Sequence, residues 1–206
     1  MTSTPTLHPH IVIVMGVSGS GKYTIAGILA TSLGWDLLEG DDLHPPANIA
    51  KMTSGQALTD ADRLPWLQAI AHWMSDHIHD GRSAIVTCSA LKRSYRDVLR
   101  HTMTSHPEAL LTFIHLSGNR EQLQCRLTAR MDHFMPPGLL DSQLDALEAP
   151  VAEDDVVALE IGPPLNEVAT AALTLLSRQG RQSMSQRDRR RTLRGDTSPC
   201  GSRRRC

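Results

Sequence analysis

The chain has 206 residues, 40% hydrophobic, 21% charged and only 3% aromatic, with a formal net charge of -1. That length suits one domain with an appendage, and the longest apolar run, near Ile11 to Val17, falls far short of the ~20 residues a membrane-spanning helix needs. The charge is unevenly placed: residues 178–206 hold ten Arg against Asp188 and Asp196, giving +8, while residues 1–177 hold 11 basic and 20 acidic residues, giving -9.

In chain order, His10–Met15 (HIVIVM) is a short β-branched run that stops at Gly16–Gly21 and opens into a helical pattern through Leu33. This predicts strand, loop, helix. A second strand is expected at Trp35–Leu38, followed by an acidic, proline-punctuated loop over Glu39–Pro46. Leu67, Ile70, Ala71, Met74 and Ile78 recur at helical spacing, with a stop at Asp80-Gly81. His72, His77 and His79 on that helix are only a weak signal for metal, because His77 and His79 point to different faces, and exposed histidines are expected. Ala84–Cys88 (AIVTC) and Leu111–Leu116 (LTFIHL) read as buried strands, followed by helical stretches at Leu91–Met103 and Asn119–Arg130. Val156–Ile161 reads as the last strand and Leu165–Leu176 as a closing helix.

Apolar strands alternating with helices predict an α/β fold, a parallel five-stranded sheet flanked by helices on both faces. Beyond Leu176 the composition turns to Arg, Ser, Gln and Gly, which cannot bury enough surface to offset ordering entropy. Residues 1–177 are therefore expected to form the domain and 178–206 a disordered arginine-rich tail. That tail has no aromatic residue on which bases could stack, so at most weak, salt-sensitive contact with nucleic acid is expected of it. Met1–His10 carries no Lys or Arg ahead of the apolar run, so no secretory leader and a cytoplasmic location are expected. Cys88, Cys125, Cys200 and Cys206 form no CxxC pair and no zinc spacing, which predicts free thiols.

The chemistry begins at Gly16-Val17-Ser18-Gly19-Ser20-Gly21-Lys22, a G-x-x-x-x-G-K loop between a predicted strand and a predicted helix. Glycines let successive backbone N–H groups turn toward one anion, the helix start adds the positive end of its dipole, and Lys22 reaches the outer phosphates. The next position wants Ser or Thr as an Mg²⁺ ligand, and here it is Tyr23. Thr24 does not replace it, because consecutive helix residues point about 100° apart. ATP with Mg²⁺ is the expected cofactor pair.

Further segments carry a resemblance to a family. GDDLHPPANIAKM at Gly40–Met52, SGQALTDADRLPWLQ at Ser54–Gln68, CSALKRSYRDVLR at Cys88–Arg100 and RLTARMDHFMPPGLLDSQLDALEAP at Arg126–Pro150, with MGVSGSGK at Met15–Lys22, resemble the gluconokinases. These are small P-loop kinases that phosphorylate D-gluconate and are related in fold to shikimate and nucleoside-monophosphate kinases. The likeness runs from about Ile11 to about Leu176. It implies a P-loop NTPase-type fold with a short lid, transfer of the ATP γ-phosphoryl group to the 6-hydroxyl of D-gluconate, and a homodimer. Asp41 is implied as catalytic base, a role a carboxylate beside the phosphate loop can fill. Glu39 is implied to hold Mg²⁺ through water. His44, Asn48, Lys51 and Arg63 resemble the gluconate-facing set, with Arg63 suited to a carboxylate and His44 and Asn48 to hydroxyls. Lys92 is placed to meet an anion, and Arg126 and Arg130 precede the lid at Met131–Gly138, where they can stabilise the transferring phosphoryl group.

Two positions depart from the family. Tyr23 stands at the Mg²⁺ ligand, and Met131-Asp132 precede His133-Phe134 where the family lid has Lys or Glu and then Gly. Tyr23 leaves open a nucleotide-binding pseudokinase or an attenuated kinase, and the shared fold leaves open shikimate or a nucleotide as acceptor.

Overall fold

The computed structural model describes residues 8–128 and 137–193, with side chains described for 8–128 and 140–180. Five strands lie in the order β2-β3-β1-β4-β5, namely β1 (His10–Met15), β2 (Asp36–Glu39), β3 (Ala84–Cys88), β4 (Leu110–Ser117) and β5 (Val156–Glu160). All pair in parallel, β1 being flanked by β3 and β4. The described helices are α1 (Lys22–Leu33), α2 (Pro46–Thr53), α3 (Asp60–His79), α4 (Arg93–His101), α5 (Arg120–Thr128), α6 (Pro137–Ala146) and α7 (Leu165–Leu193).

The period of two along β1 explains the two layers. Val12 and Val14 face a core built with Ile25 and Leu29 of α1, Leu123 of α5, Leu140 of α6 and Val168 and Ala172 of α7. Ile11, Ile13 and Met15 face the other core, with Trp66, Leu67, Ile70 and Met74 of α3 and Tyr95 and Leu99 of α4. Helices therefore cover both faces, and the strand C-terminal ends collect the functional loops along one edge, as open α/β sheets do.

The strands at β1 and β3 fall where their apolar runs predict. β2 is displaced by one residue because Glu39 continues the ladder opposite Thr87. α3 starts at Asp60, well before the apolar periodicity, because Thr59 and Asp62 form a reciprocal capping box over a charged first turn. His77 is a correction: it is buried, its ring 3.7 Å from that of Trp73, with Nδ1 3.0 Å from Trp73 O and Nε2 3.3 Å from Asp36. A second correction concerns the tail boundary. α7 continues through Leu193, so residues 178–193 are helical. Arg, Gln and Met are good helix formers, and the Thr112 hydroxyl donates to Gln179 Oε1 at 2.9 Å, fastening α7 beyond residue 177. The rest of the arginine-rich stretch, 194–206, lies outside the described residues, as do Arg130 and most of the expected lid, including Asp132, His133 and Phe134.

Candidate active site

The loop between β1 and α1 has the backbone its glycines foretell. Gly16, Gly19 and Gly21 take φ of 139°, 81° and 90°, in the region that β-carbon-bearing residues avoid. A Cβ on Gly19 would stand 2.8 Å from Leu127 of α5, so the loop is also packed from outside. Lys22 Nζ folds back to donate to Val17 O at 3.3 Å. Ser20 is fully buried, and its hydroxyl has no hydrogen-bond partner among the described residues. Ser18 N–H donates to Gln143 Oε1 of α6 at 2.7 Å. Tyr23 is 57% exposed in the first turn of α1, its ring turned to solvent, and Thr24 is exposed beside it.

The acidic turn after β2 is a short 3-10 helix, Gly40–Leu43. Gly40 is required by close approach, since a Cβ there would sit 2.1 Å from Thr87 O. Thr87, fully buried in β3, donates its hydroxyl to Glu39 at 2.5 Å and accepts from Gly40 N at 3.2 Å. Burial raises the Glu39 pKa; the Thr87 hydrogen bond opposes that, and the Asp41 charge adds to it. Lys22 also acts on the Glu39 charge, so the phosphate-loop lysine and both acidic residues share one electrostatic neighbourhood. Asp41 itself is 64% exposed, with its Oδ1 3.8 Å from His44 Nε2.

His44 and Asn48 are buried more deeply than substrate-facing side chains of a surface loop would be. The His44 ring stacks on Trp66 at 4.2 Å, and Trp66 Nε1 donates to Gly40 O at 2.6 Å, so Trp66 sets both the histidine and the acidic turn. Burial lowers the His44 pKa, against the opposing pull of the Asp41 charge. Asn48 Nδ2 donates to Asp62 O at 2.8 Å and lies 3.3 Å from His44 Nδ1. Lys51 pairs with Asp62 at 2.6 Å, tying α2 to the first turn of α3.

Arg63, Tyr95, Asp60 and Lys92 form a second hydrogen-bonded group. Arg63 donates to Leu58 O at 2.5 Å and to the Tyr95 hydroxyl at 3.4 Å. Tyr95 in turn donates to Asp60 at 2.5 Å, and Lys92 Nζ donates to both Asp60 oxygens, at 2.8 and 2.9 Å. These hydrogen bonds hold the Asp60 carboxyl below the usual carboxylate range. The loop carrying Lys92 is fixed from beneath by Arg96, which is fully buried. Arg96 donates to Ala90 O and Leu91 O at 3.0 and 3.1 Å and pairs with Glu153 at 2.6 Å, holding Ala90 at a φ of 44°.

The structure thus brings Lys22, Glu39 and Asp41 to one edge and Arg63 and Lys92 to a neighbouring cluster. Arg126 is placed otherwise than a mobile lid arginine. Its guanidinium donates to Ser20 O at 3.3 Å, to Pro163 O at 3.4 Å and to Ile161 O, so it joins the phosphate loop to the turn after β5. Sequence reasoning missed Thr87, Trp66, Asp60 and Gln143; only the capping box around Asp60 leaves a trace, as Thr-x-x-Asp before an apolar run.

A nucleotide suits this arrangement, because the loop turns its backbone around a cradle free of β-carbons at Gly16, Gly19 and Gly21. For Mg²⁺ the donor chemistry also fits, Glu39 offering a carboxylate at the loop's edge. Mg²⁺ is usually held by one or two carboxylates together with substrate phosphates. Accordingly, among the described residues no group of three His, Cys, Asp or Glu side chains could hold a metal. No helix of the described residues is long and apolar enough to cross a membrane.

Comparison with known proteins agrees with this geometry. A family model described as an AAA domain matches residues 11–150. The gluconokinase of Gluconobacter oxydans (strain 621H) is 49% identical over 151 residues, covering 73% of this chain and 82% of that protein. The thermoresistant gluconokinase of Escherichia coli (strain K12) is 39% identical over 177 residues, covering 85% and 98%. A crystal structure of a gluconokinase from Sinorhizobium meliloti 1021 superposes with a TM-score of 0.78 at 42% identity, covering 87% of this chain and 98% of that one. With a phosphate loop, an acidic turn and a cluster holding Arg63 and Lys92 arranged along one sheet edge, and likeness of this extent, the chain belongs to the gluconokinase family of P-loop kinases.

Proposed function

We propose that the chain transfers the γ-phosphoryl group of ATP to the 6-hydroxyl of D-gluconate, giving 6-phosphogluconate and ADP. The observation that carries this reading is the shared edge of Lys22, Glu39 and Asp41, with the Arg63 and Lys92 cluster beyond it. Backbone N–H groups of Gly19, Gly21 and Lys22, with the Lys22 ammonium, hold the phosphates, while the Ser18 N–H is bonded to Gln143. Asp41 accepts the proton of the 6-hydroxyl as its oxygen bonds to the γ-phosphorus and the bond to the β–γ bridging oxygen breaks; ADP leaves with that electron pair. His44, stacked on Trp66, lies beside Asp41, its Nε2 3.8 Å from Oδ1. Arg63 and Lys92 suit the gluconate carboxylate, Lys92 exchanging Asp60 for it. Asn48 and Lys51 act one step back, by fixing α2 against Asp62. Glu39 would hold Mg²⁺ through water, which leaves Asp41 unligated for the proton; the ion when bound neutralises charge on the outer phosphates. Arg126 steadies the loop, and Arg130 keeps the role the resemblance implies, stabilising charge on the transferring phosphoryl group.

The test is a coupled ADP-release assay on the full chain at saturating ATP and Mg²⁺. Gluconate-dependent ADP release is expected, with shikimate and nucleoside monophosphates inactive as acceptors; no release with gluconate would overturn the reading. Asp41→Asn is expected to lower kcat by about 10²–10⁴-fold with Tm unchanged, because the side chain is 64% exposed.

A further inference from the structure

α6 and the turn after it make contacts that the proposed reaction does not use. Gln143, inside α6, accepts the Ser18 backbone N–H at 2.7 Å from 125 residues away. Ser18 belongs to the loop whose task is to aim N–H groups at phosphate, so this bond fixes the direction of one peptide in that loop. The acceptor is a neutral carboxamide, which brings no negative charge to the edge where phosphates bind.

The segment is tied down on its other side as well. Just past α6, Glu148 N donates to Leu91 O at 2.9 Å, Glu148 Oε2 accepts from Arg93 N at 2.6 Å, and Glu148 O accepts from Arg96 at 3.2 Å. Asp141 of α6 pairs with Arg120 of α5. The same α5 fills the space over Gly19 with Leu127. α6 and its exit therefore span from the phosphate loop to the loop that carries Lys92, and Gln143 is the contact on the nucleotide side.

We propose that Gln143 is a positioning residue for the phosphate loop, holding the Ser18 peptide so that the loop is preorganised for a nucleoside di- or triphosphate. The proposal rests on the phosphate-loop part of the function above and not on the identity of the acceptor. Preorganisation lowers the ordering cost of binding, and one net hydrogen bond corresponds to about a 3–10-fold change in an equilibrium constant.

The test compares the full chain with Gln143→Met, which keeps the length of the side chain and removes the acceptor. ADP binding by calorimetry at saturating Mg²⁺ is expected to weaken by about 3–10-fold, while the KM for gluconate and Tm stay at their original values. A Kd within twofold of the original, or tighter binding, would overturn the proposal; so would equal weakening of nucleotide and acceptor with a lower Tm. A second measurement needs no variant: amide exchange at Ser18 in the nucleotide-free chain is expected to be about tenfold or more slower than in an unstructured peptide, and exchange at the unstructured rate overturns the assignment. Failure of gluconate turnover with ADP binding intact bears on the acceptor alone, so the two readings fail separately.

Discussion

Tyr23 is the residue whose chemistry departs furthest from its position. A Ser or Thr there would carry a hydroxyl on the β-carbon, within reach of an Mg²⁺ bound to the outer phosphates. The tyrosine hydroxyl lies at the far end of a rigid ring, and that ring is 57% exposed. Mg²⁺ readily keeps water ligands, so a water can take the missing place with part of the lost stabilisation. Removing one preorganised contact to the transition state costs about 10²–10³ in kcat. Tyr23→Ser is therefore expected to raise kcat by about tenfold and to lower the Mg²⁺ concentration for half-maximal rate. A Mg²⁺ titration of ADP release checks this, and an unchanged or lower rate in the variant would refute it. Glu39 offers a pH test at the same scale. Burial raises its pKa, and the Thr87 hydroxyl works against that by stabilising the carboxylate. In the chain free of Mg²⁺ and nucleotide, the Glu39 carboxyl should then titrate above an ordinary glutamate. Thr87→Val removes the opposing hydrogen bond, so that titration, followed by carboxyl NMR, is expected to move to higher pH; a titration that stays or moves down would show that the Thr87 hydroxyl does not act on Glu39.

Elements meet at a polar seam on the end of the sheet away from the site. The His10 ring of β1 lies 3.0 Å from the Thr112 hydroxyl of β4, and that hydroxyl donates to Gln179 of α7, so Nε2–H donates to Thr112. Trp35 covers the ring at 5.5 Å. Burial pushes the His10 pKa down from 6.5 to about 4. Between those values the unfolded chain binds a proton that the folded chain does not, so stability rises with pH across that window. The contribution is complete above about pH 6.5 and is lost as pH falls toward 4, with a ceiling of about 3 kcal/mol. Denaturant midpoints at pH 7 and pH 4.5 should show that loss, and His10→Gln should reduce it. His44 and His115, also lowered by burial, leave a residual slope of the same sign. An equal loss in the variant would remove His10 from the account. This seam was illegible in the sequence because it joins residues 10, 112 and 179, and periodicity reports only neighbours along one element. The same reason hid Thr87, Trp66 and Gln143, while the phosphate loop was legible because its residues are contiguous. β1 and β3 were legible because a strand buried on both faces needs an unbroken apolar run. His77 was misjudged because its pocket is made by Trp73, one turn away, and by Asp36 on another element.

At the scale of the molecule, charge and packing divide the chain at nearly the same place. Val168, Ala169, Ala172 and Leu176 of α7 are buried against α1 and the sheet, and Gln179 makes the last described side-chain bond between α7 and the strands. Residues 181–206 hold nine Arg against Asp188 and Asp196, a net +7, so their removal takes the chain from -1 to -8. The helix continues to Leu193, past the last side-chain bond described between α7 and the sheet. Deleting 181–206 is therefore expected to leave Tm and gluconate turnover unchanged, whereas cutting before Val168 would strip a face from the core. The deletion should act on long-range electrostatics instead. Retention of the full chain on immobilised DNA at low salt, where contact by a basic tail is strongest, is expected to be abolished in the truncated chain. A fall in turnover or Tm on deletion would place residues beyond Gly180 in the working fold. Retention that survives deletion would assign it to the acidic domain, whose net charge opposes it.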